Sequence, residues 1–413
     1  MQGRLPIPSL TGLRFVAAMC VVAAHALLRL VPFPAEQPLW YTYVTQASGP
    51  GMTLFFVLSG FVIHYNYSAT LERQGAGGLR NFFVARFARL YPLYILCVVV
   101  SIAWTWRHGT LGNLVPLPYF LLLAQSWFYV VIGDNAVIYQ LGPVLPVTWS
   151  ISTEWFFYLA YPLVCAALLR IPGWRRKLAA AVAVSAVMLG ALFVAHGNAA
   201  AISRIAAGVF GPVAETQSHW QDSFLRWLIY FSPYSRLGEF LIGCLAAAIF
   251  MDLQQRPVSR REARFGSLGL IAALLGCAAL YRAMFGPPYS GPPFTFVTFL
   301  HMSFGFAPLI AAVIFCCARY RSWLGRALSL RPVVLCGEAS YSIYLLHLFV
   351  FHLFVLRAVP VTNGDEELRD LAWMALAIAV TLVVSLVSYA LWERPLRNLL
   401  RRGLAPRLRK APA

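Results

Sequence analysis

The sequence predicts an all-α, polytopic transmembrane bundle of about ten spanning helices, and three observations carry that expectation. Of 413 residues, 60% are hydrophobic and only 12% charged, a balance that suits hydrocarbon better than water. The apolar residues gather in runs of about 20, the length that crosses a bilayer as a helix. Basic residues sit in short clusters between these runs, as in loops that face the cytoplasm.

The first run, 11–31, follows Arg4 and shows no small-residue cleavage site, so it reads as a retained span. Further runs follow near 50–67, 90–106, 148–169, 178–196, 235–252, 266–284, 298–317, 335–356 and 371–391. One more apolar stretch, 115–132 (VPLPYFLLLAQSWFYVVI), is interrupted by Pro116, Pro118 and Gln125. If it spanned, the cluster Arg170, Arg175, Arg176 and Lys177 would lie opposite the cluster Arg73, Arg80, Arg86 and Arg89. As a re-entrant or interfacial segment it leaves every large basic cluster on one face, with both termini cytoplasmic. The outer loops are then 32–49, 107–147 and 197–234, rich in Pro, Gly, aromatic and polar residues, as suits recognition. Residues 1–396 form one membrane domain without an internal repeat, and 397–413 read as a basic cytoplasmic tail.

The net charge of +18 would suggest nucleic acid in a soluble protein. Here it is a topology signal, and no nucleic-acid partner is expected. The eight cysteines lie in or beside apolar segments without CxxC or Cys/His ligand spacing, so they read as small core residues and no metal is expected.

Polar residues inside these runs are the candidates for chemistry, because hydrocarbon makes them costly. In LTGLRFVAAMCVVAAH, Arg14 and His25 have ten residues between them. Eleven residues of helix advance about 16 Å and turn through nearly whole turns, so the two share a face and can bracket one cleft. Arg86 and Arg89 in VARFARLYPLY are three apart and also share a face. Paired guanidiniums of this kind suit a phosphate group or anchor lipid headgroups. Ser150, Glu154 and Tyr158 recur every four residues in PVTWSISTEWFFYLAYP, a polar stripe near the outer end of a span. In GEASYSIYLLHLFVFH, Ser340, Tyr344 and His347 form a second stripe, suited to core hydrogen bonding or substrate contact. His64 and Glu393 are weaker candidates, Glu393 being suited to a neighbouring arginine. A GxxxxGK[ST] loop, an HExxH site, a GxSxG elbow and an HxxxxD pattern are all missing from the sequence.

Together, in their order and spacing, LTGLRFVAAMCVVAAH, GPGMTLFFVLSGFVI, RFARLYPLY, WSISTEWFFYLAYP, SYSIYLLH and WERP resemble the acyltransferase-3 family of integral membrane O-acyltransferases over about residues 8–396. The resemblance implies a multi-pass protein of the bacterial inner membrane that acylates surface or exported glycans. It implies that Arg14 and His25 form the catalytic motif with Glu154, and that Arg86 and Arg89, with Tyr91 beside them, hold acyl-CoA. Ser150, Tyr158, Ser340, Tyr344 and His347 are candidate acceptor or site-lining residues. The implied co-substrate is acetyl-CoA or another acyl-CoA, with no permanently bound cofactor, and His25 acts as general base or transient acyl carrier. The implied partners are the acyl-CoA donor, a glycan or lipid-linked sugar acceptor, membrane lipids and polysaccharide assembly proteins. Some members carry a further C-terminal hydrolase-like domain, which the 413 residues do not contain, so the expectation is a core acting alone or with a partner. Two rival readings are a proton-coupled secondary transporter, which calls for an inverted repeat with broken helices in both halves, and a non-catalytic subunit of a polysaccharide export machine.

Overall fold

A computed structural model describes residues 6–31, 38–109, 112, 114–284, 295–357 and 366–404. Each of the ten apolar runs is helical. They form α1 (Pro8–Leu30), α2 (Ser48–Arg107), α3 (Trp149–Leu169), α4 (Gly173–Gly197), α5 (Pro233–Leu253), α6 (Arg260–Ala283), α7 (Ala307–Arg319), α8 (Ser340–Arg357) and α9 (Glu366–Ser388). The amphipathic α10 (Arg394–Leu404) follows and packs against α2.

By length and apolarity, six helical stretches among the described residues are able to cross a membrane, or up to eight if each of two bent pairs is one span. That is fewer than the ten runs: α5 (Pro233–Leu253) is not among those stretches, and two physical reasons account for the rest. The runs 50–67 and 90–106 belong to one helical stretch interrupted at Gly75, where φ is +50°. Sixty straight residues would reach about 90 Å, so the chain folds back there, and Tyr67 meets Phe82 with ring centroids 5.2 Å apart. The runs 298–317 and 335–356 are bent, by 78° where Phe296–Met302 meets the segment leading into α7, and by 69° where Arg331–Glu338 meets α8. Both bent pairs lie in the C-terminal half, whereas a transporter built on inverted repeats calls for breaks in both halves.

Residues 115–132 form no spanning helix. A five-residue helix, Leu117–Leu121, gives way to turns and a strand Val131–Ile132, paired antiparallel with Asn135–Ala136. Prolines 116 and 118 limit the helix, and the exposed backbone groups are met by side chains. Tyr94 donates to the Phe120 carbonyl at 2.8 Å and Tyr91 to that of Leu121 at 3.2 Å. Fully buried Gln125 donates to the carbonyl and hydroxyl of Thr148, each at 3.1 Å, and the Ser126 and Ser152 hydroxyls meet at 2.9 Å. The segment is thereby clamped to the start of α3.

The core is built where α2 and α5 lie backbone to backbone. A side chain at Gly60 would collide with the Phe240 carbonyl, and one at Gly243 with that of Val57. This is how small residues let membrane helices approach when lipid supplies no hydrophobic drive. On the periphery, α4 turns Val182, Val187 and Phe193 outward, as a lipid-facing helix does. Glu393 accepts from Ser342 at 2.7 Å and pairs with Arg397 at 3.6 Å, in keeping with a structural role. The end of the tail, 405–413, lies outside the described residues, while 394–404 form α10.

Gly243→Leu forces α5 away from Val57, so it is expected to destabilise the detergent-held protein by about 1–3 kcal/mol. The check is its thermal unfolding beside Gly190→Leu, a lipid-side control whose added side chain meets no neighbouring atom.

Candidate active site

Arg14, Arg86, Arg89 and Glu154, drawn from α1, α2 and α3, line one small cavity of about 60 Å³ together with Ser59, Ser150, Ser340 and Tyr344. The Glu154 carboxylate accepts from Tyr158 at 2.5 Å and from Ser59 at 3.0 Å. Arg86 is buried, donates to the Tyr67 hydroxyl at 2.7 Å, and lies over the rings of Tyr67 and Tyr158 at 4.7 and 5.6 Å. The Nε atoms of Arg86 and Arg89 are buried without a partner. Three guanidiniums around one half-buried carboxylate leave excess positive charge, the electrostatics an anionic ligand needs. Tyr91, by contrast, does not line this cavity, since its hydroxyl is turned to Leu121. His64 is likewise outside it, bonded to Tyr161 at 3.3 Å.

His25 lines a second, larger cavity of about 400 Å³ on the side of the loops 107–147 and 197–234. Arg14 and His25 thus share a helix face but open onto different chambers, rather than bracketing one cleft. The two chambers have Met52 and Tyr344 in common. Ser150 donates to the Tyr344 hydroxyl at 2.8 Å, and Tyr344 donates onward to the Val147 carbonyl at 2.9 Å, which fixes the ring that divides them.

The geometry around His25 determines its tautomer. His25 Nδ1 lies 2.8 Å from His347 Nε2, with the two rings nearly parallel at 15°. His347 Nδ1 lies 2.6 Å from the Tyr344 backbone carbonyl. A carbonyl only accepts, so His347 carries its proton on Nδ1 and, in the neutral pair, presents a lone pair at Nε2. His25 therefore donates from Nδ1, and its Nε2 keeps a free lone pair. The arrangement orients a basic nitrogen as a second residue orients the histidine of a hydrolase triad. The residue that holds His25 is His347, fully buried on α8, while Glu154 stays among the arginines.

Several residues of the larger cavity went unnoticed in the sequence. Arg29 stands one helical turn after His25 and was legible as a neighbour on the same face. Arg236 and Glu239, fully buried on α5, pair at 2.7 Å behind the cavity wall. Their i,i+3 spacing inside an apolar run was a usable signal. Arg236 also donates to the Tyr230 carbonyl at 2.8 Å and lies over Tyr230, Phe56 and Trp149 at 4.8, 5.7 and 5.8 Å. Trp220, Gln221, Arg226 and His301 complete the lining from distant segments, and no local pattern announced them.

A family model described as an acyltransferase domain matches residues 7–392. Among curated proteins, the acyltransferase MdmB of Streptomyces mycarofaciens is 28% identical over 68% of the chain and 65% of its own length. The O-acetyltransferase OatA of Staphylococcus aureus is 24% identical over 95% of the chain and 57% of its length, and the peptidoglycan O-acetyltransferase OatA of Listeria monocytogenes is 25% identical over 95% and 56%. The chain therefore spans a little more than half to two thirds of the length of these relatives. No solved structure matches.

Removing one member of the buried Arg236–Glu239 pair leaves a charge stranded in the bundle. Arg236→Ala is expected to cost about 3–5 kcal/mol, and the double change Arg236→Met with Glu239→Gln to recover most of that, both read from unfolding of the purified protein in detergent.

Proposed function

Because the chain belongs to the acyltransferase-3 family, we propose that it is a membrane O-acyltransferase that moves an acetyl group from acetyl-CoA to a sugar hydroxyl of a surface or exported glycan. The observation that carries this reading is the pair of chambers that meet at Met52 and Tyr344, one ringed by arginines and the other holding His25 with its free nitrogen. The O-acetyltransferases among the relatives favour acetyl as the group transferred.

In this scheme the bundle lies in a bacterial inner membrane as ten spans with both termini cytoplasmic, and the arginine chamber opens to the cytoplasm. Arg86 and Arg89 hold phosphates of the donor, with Arg14 further along the path. The thioester arm rises beside α1 toward His25, about 16 Å beyond Arg14. The narrow chamber widens to admit it, Met52 being the flexible side chain at the junction. The acceptor enters from the loop side, and the water-poor site strengthens each polar contact made there.

The chemistry is general base catalysis. His25 Nε2 removes the proton of the acceptor hydroxyl as its oxygen bonds to the thioester carbonyl carbon. The tetrahedral intermediate then collapses with cleavage of the C–S bond. The leaving sulfur takes the proton back from His25, giving an O-acetyl ester and free CoA. His347 holds the imidazole in the required tautomer and shares the positive charge that forms on it.

The test is release of free CoA from acetyl-CoA by protein held in nanodiscs, with a glycan acceptor supplied. His25→Ala is expected to slow release at least 100-fold. His347→Ala is expected to slow it by about 10- to 100-fold, and His347→Gln by less, because an amide oxygen accepts the same hydrogen bond from His25. Wild-type rates from folded His25→Ala would sink the mechanism.

A further inference from the structure

The charged side chains that line the larger cavity among the described residues have one sign. The cavity is lined by Arg29 and Arg226, together with His25 and His301, and among the described residues no aspartate or glutamate lines it. Neither arginine takes part in an ion pair among the described residues. Arg226 is half-buried, rests over Phe231 and Trp220 at 5.1 and 5.8 Å, and bonds to Gln221 through Nη1 alone. Arg29 reaches the Pro143 carbonyl through one Nη at 3.3 Å. Each guanidinium has five N–H donors, so each keeps several for a ligand.

The acid nearest Arg226 in sequence, Asp222, acts on it electrostatically but makes its hydrogen bonds elsewhere. Its Oδ1 accepts from the Ala136 backbone N–H at 2.7 Å, and its carbonyl accepts from Tyr129 at 2.7 Å. It therefore joins the loops 107–147 and 197–234 without lining the cavity.

A second observation comes from the far wall. His301 is 4% exposed, lines the cavity, and its Nε2 has no partner. In the tautomer protonated at Nδ1, the unpaired Nε2 accepts from a hydroxyl group. Trp149, Trp220, Tyr139 and Tyr230 supply flat apolar faces of the kind on which the C–H side of a sugar ring rests. A volume of about 400 Å³ falls in the range of small-molecule sites, about 300–1,000 Å³.

We infer that the acceptor is an anionic glycan, carrying a carboxylate or phosphate on or next to the sugar that is acylated, with Arg226 and Arg29 reading that group and His301 accepting from a ring hydroxyl. The inference rests on the proposed transferase function and narrows its substrate class. Arginine matches both anions by paired N–H bonds, so carboxylate and phosphate are separated by the probes rather than by the site.

The experiment measures equilibrium binding, without acetyl-CoA, to wild-type and variant protein in nanodiscs of uncharged lipid. The probes are matched pairs: methyl glucuronide with methyl glucoside, an N-acetylneuraminic acid glycoside with its carboxyl-reduced form, and glucose 1-phosphate with glucose. The expected result is at least tenfold tighter binding of a charged member than its neutral partner, weakening as salt rises. Arg226→Gln is expected to abolish the preference and Arg226→Lys to keep part of it, while His301→Phe weakens both members of a pair alike. Equal affinity within every pair, or no binding by any probe, would overturn the inference. Charge-selective binding by wild type that releases no CoA would leave it standing while sinking the transferase reading, and His25-dependent CoA release without charge selectivity would do the reverse.

Discussion

The hydrogen bond between His25 and His347 joins residues 322 positions apart, and the remainder of the site is arranged around it. An imidazole within an apolar bundle is costly unless another group meets its polar edges. Here each ring meets the other, and the chain of donors ends on a backbone carbonyl of α8. A helix backbone is among the stiffest elements a protein has. The direction of the lone pair on α1 is thereby set by the path of α8, so the free nitrogen of His25 inherits its placement from the packing of two helices.

A comparable economy appears behind the larger cavity. Arg236 presents its guanidinium to three aromatic rings, its Nε to a carbonyl and one Nη to Glu239. One buried cation thus fixes the wall formed by Trp149 and Tyr230 from the side away from the cavity. Buried ion pairs seldom add net stability over apolar residues of like volume. Their value here is geometric, because the pair keeps the aromatic faces of Trp149 and Tyr230 from turning.

The ten runs were legible because apolar length is a local property, and 115–132 was legible because Pro116, Pro118 and Gln125 break its pattern. The bends at Ser303 and Ala339 were not, since the runs 298–317 and 335–356 are each long enough to read as one straight span. In the site, the shared face of Arg14 and His25 followed from spacing, yet their separation into two chambers depends on Met52 and Tyr344 from other helices. The stripe that holds Tyr344 and His347 was visible, but its contact with α1 was not. Arg236 and Glu239 carried a readable signal, two opposite charges one turn apart in an apolar run. Arg226 and Trp220 carried none, because loops acquire their neighbours only through the tertiary fold.

Tyr344 and Met52 form the floor of one chamber and the ceiling of the other. Viewed from the lipid, this partition is an insulator. A passage lined with arginines on one side and histidines on the other would, if filled continuously with water, short-circuit the ion gradients of the cell. A tyrosine pinned at its hydroxyl by Ser150 and Val147, backed by a pliable thioether, stands between the two chambers where such a water column would have to pass. On the proposed reading, a transferase that passes a group across a membrane must also be a poor channel, and this ring and its neighbour supply that closure.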